Sequence, residues 1–198
     1  MKLFLKGNKC YTKCILDSGK RKGIPGQHGT GAKGRRVKVS EYAKRLREKQ
    51  RAKRLIGITE REFRRYFDLA ERQKGLTGET LLKLLELRLD NVLHRMGFAL
   101  SRPQARQLVS HGHVSVNGRS VNVPSYALKP GDKIQLQDSV KGNVLVQQAI
   151  DTNQKRGNFP SWFEVSAEGL NGTIRTWPAR DEISIPVNEQ LIVELYSK

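Results

Sequence analysis

The dipeptide Asn117-Gly118, set between Val114-Ser115-Val116 and Val121-Asn122-Val123, constrains the fold more than any other feature of the chain. Asparagine and glycine most readily take the positive φ of a two-residue hairpin turn, and valines at a period of two give each strand one face toward a core. Upstream, Leu81, Leu85, Leu89, Val92 and Met96 recur at steps of three and four. They share one face of a helix that begins near Thr77 and runs into this region. Ser101, with Pro103 in the first turn and Gln104 three residues on, predicts a second, short helix opened by a reciprocal capping pair, and Gly112 predicts its end. Pro130-Gly131-Asp132 turns the chain into a strand from Lys133 to Gln137. The stretch from Arg88 to Lys133 therefore reads as a helix, a short helix and a small sheet.

On a helical wheel Ala105, Leu108 and Val109 fall on one side of the short helix, with Gln107, Ser110 and His111 opposite and Arg102 and Arg106 at the border. That sets guanidinium groups beside a polar face. Arginine suits phosphate because its planar fork donates paired hydrogen bonds and stays charged near neutral pH. Solvated surface charges would give the same pattern, so the weight falls on the charge of the whole chain.

The net charge is +18 in 198 residues. Such an excess repels itself in a compact state and calls for a polyanionic partner. Residues 1–60 carry 18 Lys and Arg against 4 Asp and Glu, and the remainder 19 against 15, so the chain opens as a polybasic arm. Within it, residues 19–39 hold six glycines, one proline and no acid. This segment cannot bury enough apolar surface to offset ordering, and its glycines let the backbone lie close to a phosphate chain. His28 has no neighbouring acid or nucleophile and reads as loop packing or a base contact.

Ser40 predicts an N-cap for a helix bearing Arg45, Arg47, Lys49, Arg51, Lys53 and Arg54 on its exposed side. Thr59 and Glu62 form a second capping box, with Phe63, Phe67 and Ala70 inward and Arg61, Arg64 and Arg65 outward. Beyond the opening stretch, Val144 to Gln154 reads as a short helix; Trp162 to Val165, Thr173 to Trp177 and Ile183 to Ile185 alternate as strands. The end, from Val187 to Ser197, mixes the two periods and is left undecided between strand and helix.

Catalytic signatures are absent from the sequence: no P-loop, Rossmann fingerprint, GxSxG elbow or HExxH. Asp90 is expected in an ion pair with Arg88 or Arg95 rather than as a general base. Cys10 and Cys14 would supply half of a tetrahedral zinc site, with His28 as a third ligand and no evident fourth, so free thiols are the default. Two cysteines make no disulfide framework, and neither a membrane-length apolar run nor a signal peptide is evident, so a cytosolic or organellar setting is expected.

The run RLDNVLHRMGFALSRPQARQLVSHGHVSVNGRSVNVPSYALKPGD closely resembles the RNA-binding module named after small-subunit ribosomal protein S-four. Pseudouridine synthases, tyrosyl-tRNA synthetases and heat-shock RNA-binding proteins share that module. The flanks, PGQHG at Pro25 to Gly29, the basic run from Tyr42 to Phe67 and PVNEQLIVELYS from Pro186 to Ser197, resemble the ribosomal S-four family itself. A modification enzyme would need a catalytic domain for which about 60 residues after the module are too few, and a DNA-compacting protein would explain the charge but not the module.

The resemblance implies an α+β fold: a basic extended arm over residues 1–40, a helical domain over 41–87 completed by 155–198, and an inserted module over 88–154 with two helices on a small antiparallel sheet. It implies a non-enzymatic protein that binds 16S ribosomal RNA at a junction in its 5' domain and nucleates small-subunit assembly. Ribosomal proteins S-five and S-three are its implied neighbours at the messenger RNA entry channel, with an influence on decoding accuracy. An RNA-binding translational regulator or ribosome-associated RNA chaperone is the alternative for the same module.

The candidate RNA contacts are Lys22, Gln27, His28, Arg35 and Arg36 of the arm, the basic residues named on the two following helices, and Arg88, Arg95, Ser101, Arg102, Gln104, Arg106, Gln107, His111 and Asn117 of the module. The start departs from the family, many of whose members carry two cysteine pairs. Here only Cys10 and Cys14 stand, spaced one residue more tightly than expected, so either zinc has been lost or Met1 lies inside a longer protein whose upstream residues complete the site.

Overall fold

Two hydrophobic cores, one built by helices and one by helices against a sheet, are joined end to end through the segment 86–91. The computed structural model describes residues 3–14, 39–140, 142–156, 159–166 and 170–197. The arm contacts expected at Lys22, Gln27, His28, Arg35 and Arg36 lie outside the described residues.

After a short helix α1 (Lys9–Thr12), the first core is framed by α2 (Glu41–Ile56), α3 (Glu60–Glu71), α4 (Thr77–Glu86) and α8 (Glu189–Tyr196). The caps form where the sequence predicts them. Ser40 Oγ accepts from the Ala43 N–H at 3.2 Å, and Thr59 and Glu62 close a complete capping box. Between these helices Gly57 takes φ +78°, the left-handed cap that lets the chain turn back after α2. Leu55, Phe63, Phe67, Leu81, Leu82 and Leu85 fill this core together with Ile183, Ile185, Val187 and Ile192 from the C-terminal segment.

The C-terminal segment thus ends in a helix, and Ile183 to Ile185 is not the expected strand. It follows a 3-10 turn at Arg180–Glu182 and inserts both isoleucines among helices, where no strand lies beside it to pair with. An Arg180–Glu189 fork, with two bonds of 2.9 Å and a third from Arg180 Nη2 to the Val187 carbonyl, closes this loop.

The single helix expected from Thr77 through Met96 is two, α4 and α5 (Leu89–Arg95). Arg88 between them is extended, at φ −66° and ψ 138°, and pairs with Ala127 as an isolated bridge. The Leu128 N–H donates to the Leu87 carbonyl, and the Leu89 N–H to that of Tyr126. Leucine periodicity cannot report this break because the apolar face resumes on the far side: Leu81, Leu85, Leu89, Val92 and Met96 are all buried.

The second core lies between α5, α6 (Arg102–Ser110) and a five-stranded antiparallel sheet of order β2-β1-β3-β5-β4. Its strands are β1 (Val114–Val116), β2 (Arg119–Ser120), β3 (Lys133–Leu136), β4 (Phe163–Val165) and β5 (Asn171–Ile174). Asn117 and Gly118, at φ +51° and +79°, make the predicted two-residue turn. The second hairpin strand stops at Ser120, short of Val121 and Val123, and Val123 is 49% exposed. The expected strand from Thr173 to Trp177 begins and ends earlier, so that Trp177 lies outside the sheet. Gly172 on β5 packs so closely that a Cβ there would meet Met96 Sδ at 2.8 Å and the Glu164 carbonyl oxygen at 2.9 Å.

Helix α7 (Val144–Arg156) packs Val146 and Ile150 against this second core. The stretch 155–198, expected to complete the helical domain, divides in the structure. Trp162, Phe163 and Ile174 enter the second core and β5 pairs with β3, while Ile183 onward enters the first.

Candidate RNA-binding surface

The basic residues fall into two groups, those spent inside the protein and those left at its surface. Arg88 is the extreme of the first group at 1% exposure. Its Nε donates to Asp90 Oδ1 at 3.0 Å, its Nη2 to Asp90 Oδ2 at 2.7 Å, and its Nη1 to the Tyr66 hydroxyl at 2.9 Å. Burial works against the guanidinium charge, but the bonds and charge of Asp90, with Tyr66, outweigh it and hold the pKa above its ordinary value. Asp90 forms the expected ion pair, and the RNA contact expected of Arg88 is corrected to a buried structural role.

A second buried chain runs beside it. Asn91 Nδ2 donates to Glu86 Oε2 at 2.8 Å and to the Glu86 carbonyl at 3.1 Å, and Asn91 Oδ1 accepts from Arg102 Nε at 2.7 Å. Arg95 Nε lies 2.8 Å from Glu86 Oε1, and Arg95 Nη2 donates to the Glu182 carbonyl at 2.9 Å. Arg95 and Arg102 are therefore turned inward, away from the polar face at whose border the helical wheel put Arg102. Burial pushes the Arg102 guanidinium pKa down, with Arg95 acting the same way and Glu86 and Asp90 opposing. A wheel gives the direction of Cα–Cβ, and a long side chain then follows its partner.

Other expected contacts are also internal. Gln104 Oε1 accepts from the Leu100 N–H at 2.9 Å rather than from Ser101, and Ser101 occupies the N-cap position without a side-chain cap bond, so the expected reciprocal pair does not form. Asn117 uses both ends of its amide, accepting from the Lys133 N–H at 2.9 Å and donating to Asp132 Oδ1 at 2.8 Å. On α2, Lys49 is 8% exposed and bonds Glu60 at 2.5 Å; Lys53 bonds the same carboxylate at 3.0 Å. Arg51 pairs with Glu48 and Arg45 with Glu194. Six basic residues within ten positions cannot share one helical face, and the four that turn inward are the ones paired.

The surface group is what remains. Arg47, Arg54, Arg61, Arg64 and Arg65 are exposed, and no ion pair among the described residues involves them. Arg54 and Arg61 flank the Gly57 turn, and Arg106 Nη1 reaches the Gly57 carbonyl at 3.3 Å from the other core. Asp90 Oδ2, 4.0 Å from Arg106 Nη1, draws it toward the joint. Gln107 and His111 are exposed on α6, as predicted. The α2–α3 turn and α6 thereby form one basic, polar surface that spans both cores, with guanidinium groups free to meet phosphate.

Neither Cys10 nor Cys14 is in a disulfide, and Cys10 Sγ accepts from the Lys6 N–H at 3.3 Å. Among the described residues no cluster of three or more His, Cys, Asp or Glu side chains could hold a metal ion, and His28, the third ligand expected beside Cys10 and Cys14, lies outside them. No helix among these residues is long and apolar enough to cross a membrane.

Comparison with known proteins covers both halves of this surface. Residues 1–86 match the ribosomal protein S4/S9 N-terminal domain, and residues 87–134 match the S4 domain. The chain is 54% identical over 199 residues to the small ribosomal subunit protein uS4 of Dictyoglomus thermophilum, covering 100% of this chain and 92% of the relative. The chain belongs to the uS4 family. Its identity to the uS4 proteins of Pelotomaculum thermopropionicum and Thermodesulfovibrio yellowstonii is 53% and 52% over the same shares of each chain. The two matches meet between Glu86 and Leu87, where α4 ends and the buried polar joint begins. Members of the uS4 family are structural ribosomal proteins and not enzymes.

Sequence reasoning anticipated the ion pair of Asp90 but missed the rest of the joint, the bonds that join Asn91 to Glu86 and Arg102. Arg88, Asp90 and Asn91 all lie in one tetrapeptide, and a cluster of charged and amide groups between two leucine-rich helices is the available signal that they face each other and not water.

Proposed function

We propose that this chain is a structural component of the small ribosomal subunit that binds 16S ribosomal RNA directly, at a multi-helix junction of the 5' domain, and nucleates assembly of the subunit body. The observation that supports it most is the separation of arginines: those at the joint are neutralised internally, while Arg47, Arg54, Arg61, Arg64 and Arg65 are left exposed outside any ion pair among the described residues, and Arg106 reaches the Gly57 turn that Arg54 and Arg61 flank. Structured RNA is recognised chiefly by backbone geometry and shape, so a surface that spans two joined cores selects an RNA fold. Lys22, Gln27, His28, Arg35 and Arg36 of the arm add RNA contacts, those of Lys22, Arg35 and Arg36 to phosphates.

In this reading the chain divides into the arm over 1–40, a helical domain and an inserted module, with the module extended to include β4 and β5. S-five and S-three are its protein neighbours, messenger RNA passes nearby at the entry channel, and the contact with S-five bears on decoding accuracy. The ribosome it serves is cytoplasmic, or organellar if the chain is made for one. Zinc enters only if further ligands join Cys10 and Cys14.

Sedimentation of cell extract through a sucrose gradient after a high-salt wash tests the assignment. The protein is expected to co-migrate with small subunits, and its quantitative release into the top fractions would overturn it.

A further inference from the structure

Where the two cores meet there is a cleft of about 380 Å³ that shares only Arg65 with the RNA surface described above. Leu69 and Leu84 line it from the helical side, Leu87 and Leu128 from the module, and Trp177 stands at its mouth. Trp177 is 56% exposed and Leu69 41%, an unusual outlay of apolar surface on a chain this charged. Arg65 and Lys129 also line the cleft; both are exposed, and among the described residues neither is in an ion pair.

We infer that this cleft takes one unpaired nucleotide of the RNA, its base stacked on Trp177 and its phosphate held at the rim by Arg65 and Lys129. The inference rests on the reading that the chain binds ribosomal RNA. Size favours a nucleotide, because the volume is at the small end for ligand pockets and too small for a helix or hairpin of a protein partner. Charge places the phosphate outside. Glu62 lines the same cleft, and its carboxylate, held by the Thr59 N–H and hydroxyl, keeps its negative charge and repels an anion pushed inward. An indole offers a flat face to any base, and splayed-out bases of single-stranded RNA are commonly held on aromatic rings in this way. The two tryptophans divide cleanly, since Trp162 is 0% exposed inside the second core.

The test is iodide quenching of the intrinsic fluorescence of the full chain, free and bound to a transcript of the 16S 5' domain, alongside the affinities of Trp177→Ala and Trp177→Phe. Iodide reaches Trp177 and not Trp162. The expected result is quenching by iodide that disappears in the complex, a loss of about ten-fold or more in affinity for the alanine variant, and near-native affinity for phenylalanine. Wild-type binding with Trp177 still open to iodide would overturn the inference and leave RNA binding intact. Protection that appears only when total small-subunit proteins are added would assign the cleft to a protein and overturn it equally. Failure of the wild type to bind the transcript would bring down the RNA-binding reading itself. The iodide result stands on the wild type alone, whatever the variants do to folding.

Discussion

Arg88 and Asp90 grip each other through two hydrogen bonds of 3.0 and 2.7 Å at the point where the helical core hands over to the sheet-backed one. Because Tyr66 of α3 bonds the same guanidinium, the pair fixes how the two cores meet. The basic surface spans both cores, so its shape depends on this buried joint.

Removing one partner of this pair leaves a buried charge uncompensated. Asp90→Ala is expected to lower stability by about 3–5 kcal/mol in urea unfolding of the free protein. The double variant Arg88→Met with Asp90→Leu should recover much of that loss, since an apolar pair of similar volume has no charge to desolvate. A double variant as unstable as Asp90→Ala would show that the specific fork, not charge balance, is required.

Glu60 collects Lys49, Lys53 and Tyr196 and ties α2, α3 and α8 together. Burial pushes its pKa up, but the hydrogen bonds from these three partners outweigh it and lower the value from 4.5 to about 2. The folded value lies below the unfolded one, so the stabilisation is fully present above pH 4.5 and is lost as pH falls from there toward 2. Thermal melts should show the wild type losing more stability between pH 6 and pH 3 than Glu60→Gln does. Equal losses would remove Glu60 from the acid response.

Surface and joint arginines should behave oppositely. Each of Arg54→Gln, Arg61→Gln and Arg64→Gln is expected to leave unfolding within about 0.5 kcal/mol of wild type and to reduce the salt dependence of RNA binding by about 0.7–0.9 in slope. Arg95→Gln, which loses the Glu86 and Glu182 contacts, should instead lower stability without changing that slope. Unfolding curves and binding isotherms at three salt concentrations distinguish the two classes.

Asn117 and Gly118 carry the hairpin through positive φ and through two side-chain bonds to the 132–133 turn. Gly118→Val is expected to destabilise by more than about 1 kcal/mol, because a β-branched residue is strained at φ +79°. Asn117→Gly should cost less by way of φ, yet still lose the two bonds. Amide hydrogen exchange at Val116 and Lys133 would report both.

Much of this was legible because it is local. Ser40, the Thr59–Glu62 box, the Asn117-Gly118 turn and the apolar faces of α3 and α6 depend on residues within a few positions of one another, and each formed as expected. What could not be read depends on partners far along the chain. The helix breaks at Arg88 because residues 126–128 offer it backbone bonds. Ile183 to Ile185 is drawn into a helical core, and Arg88, Arg95, Arg102 and Lys49 turn inward because Asp90, Glu86, Asn91 and Glu60 await them. Charge composition reveals that a polyanion is needed; only tertiary pairing decides which cations remain to meet it.

On the proposed function, this surface recognises a fold of ribosomal RNA and not negative charge alone. The most direct test is filter binding at physiological salt, comparing a transcript of the 16S 5' domain with duplex DNA of equal length. Binding to the transcript is expected to be at least about a hundred-fold tighter, with the preference persisting as salt is raised; equal affinity for the two would show that charge alone holds the RNA.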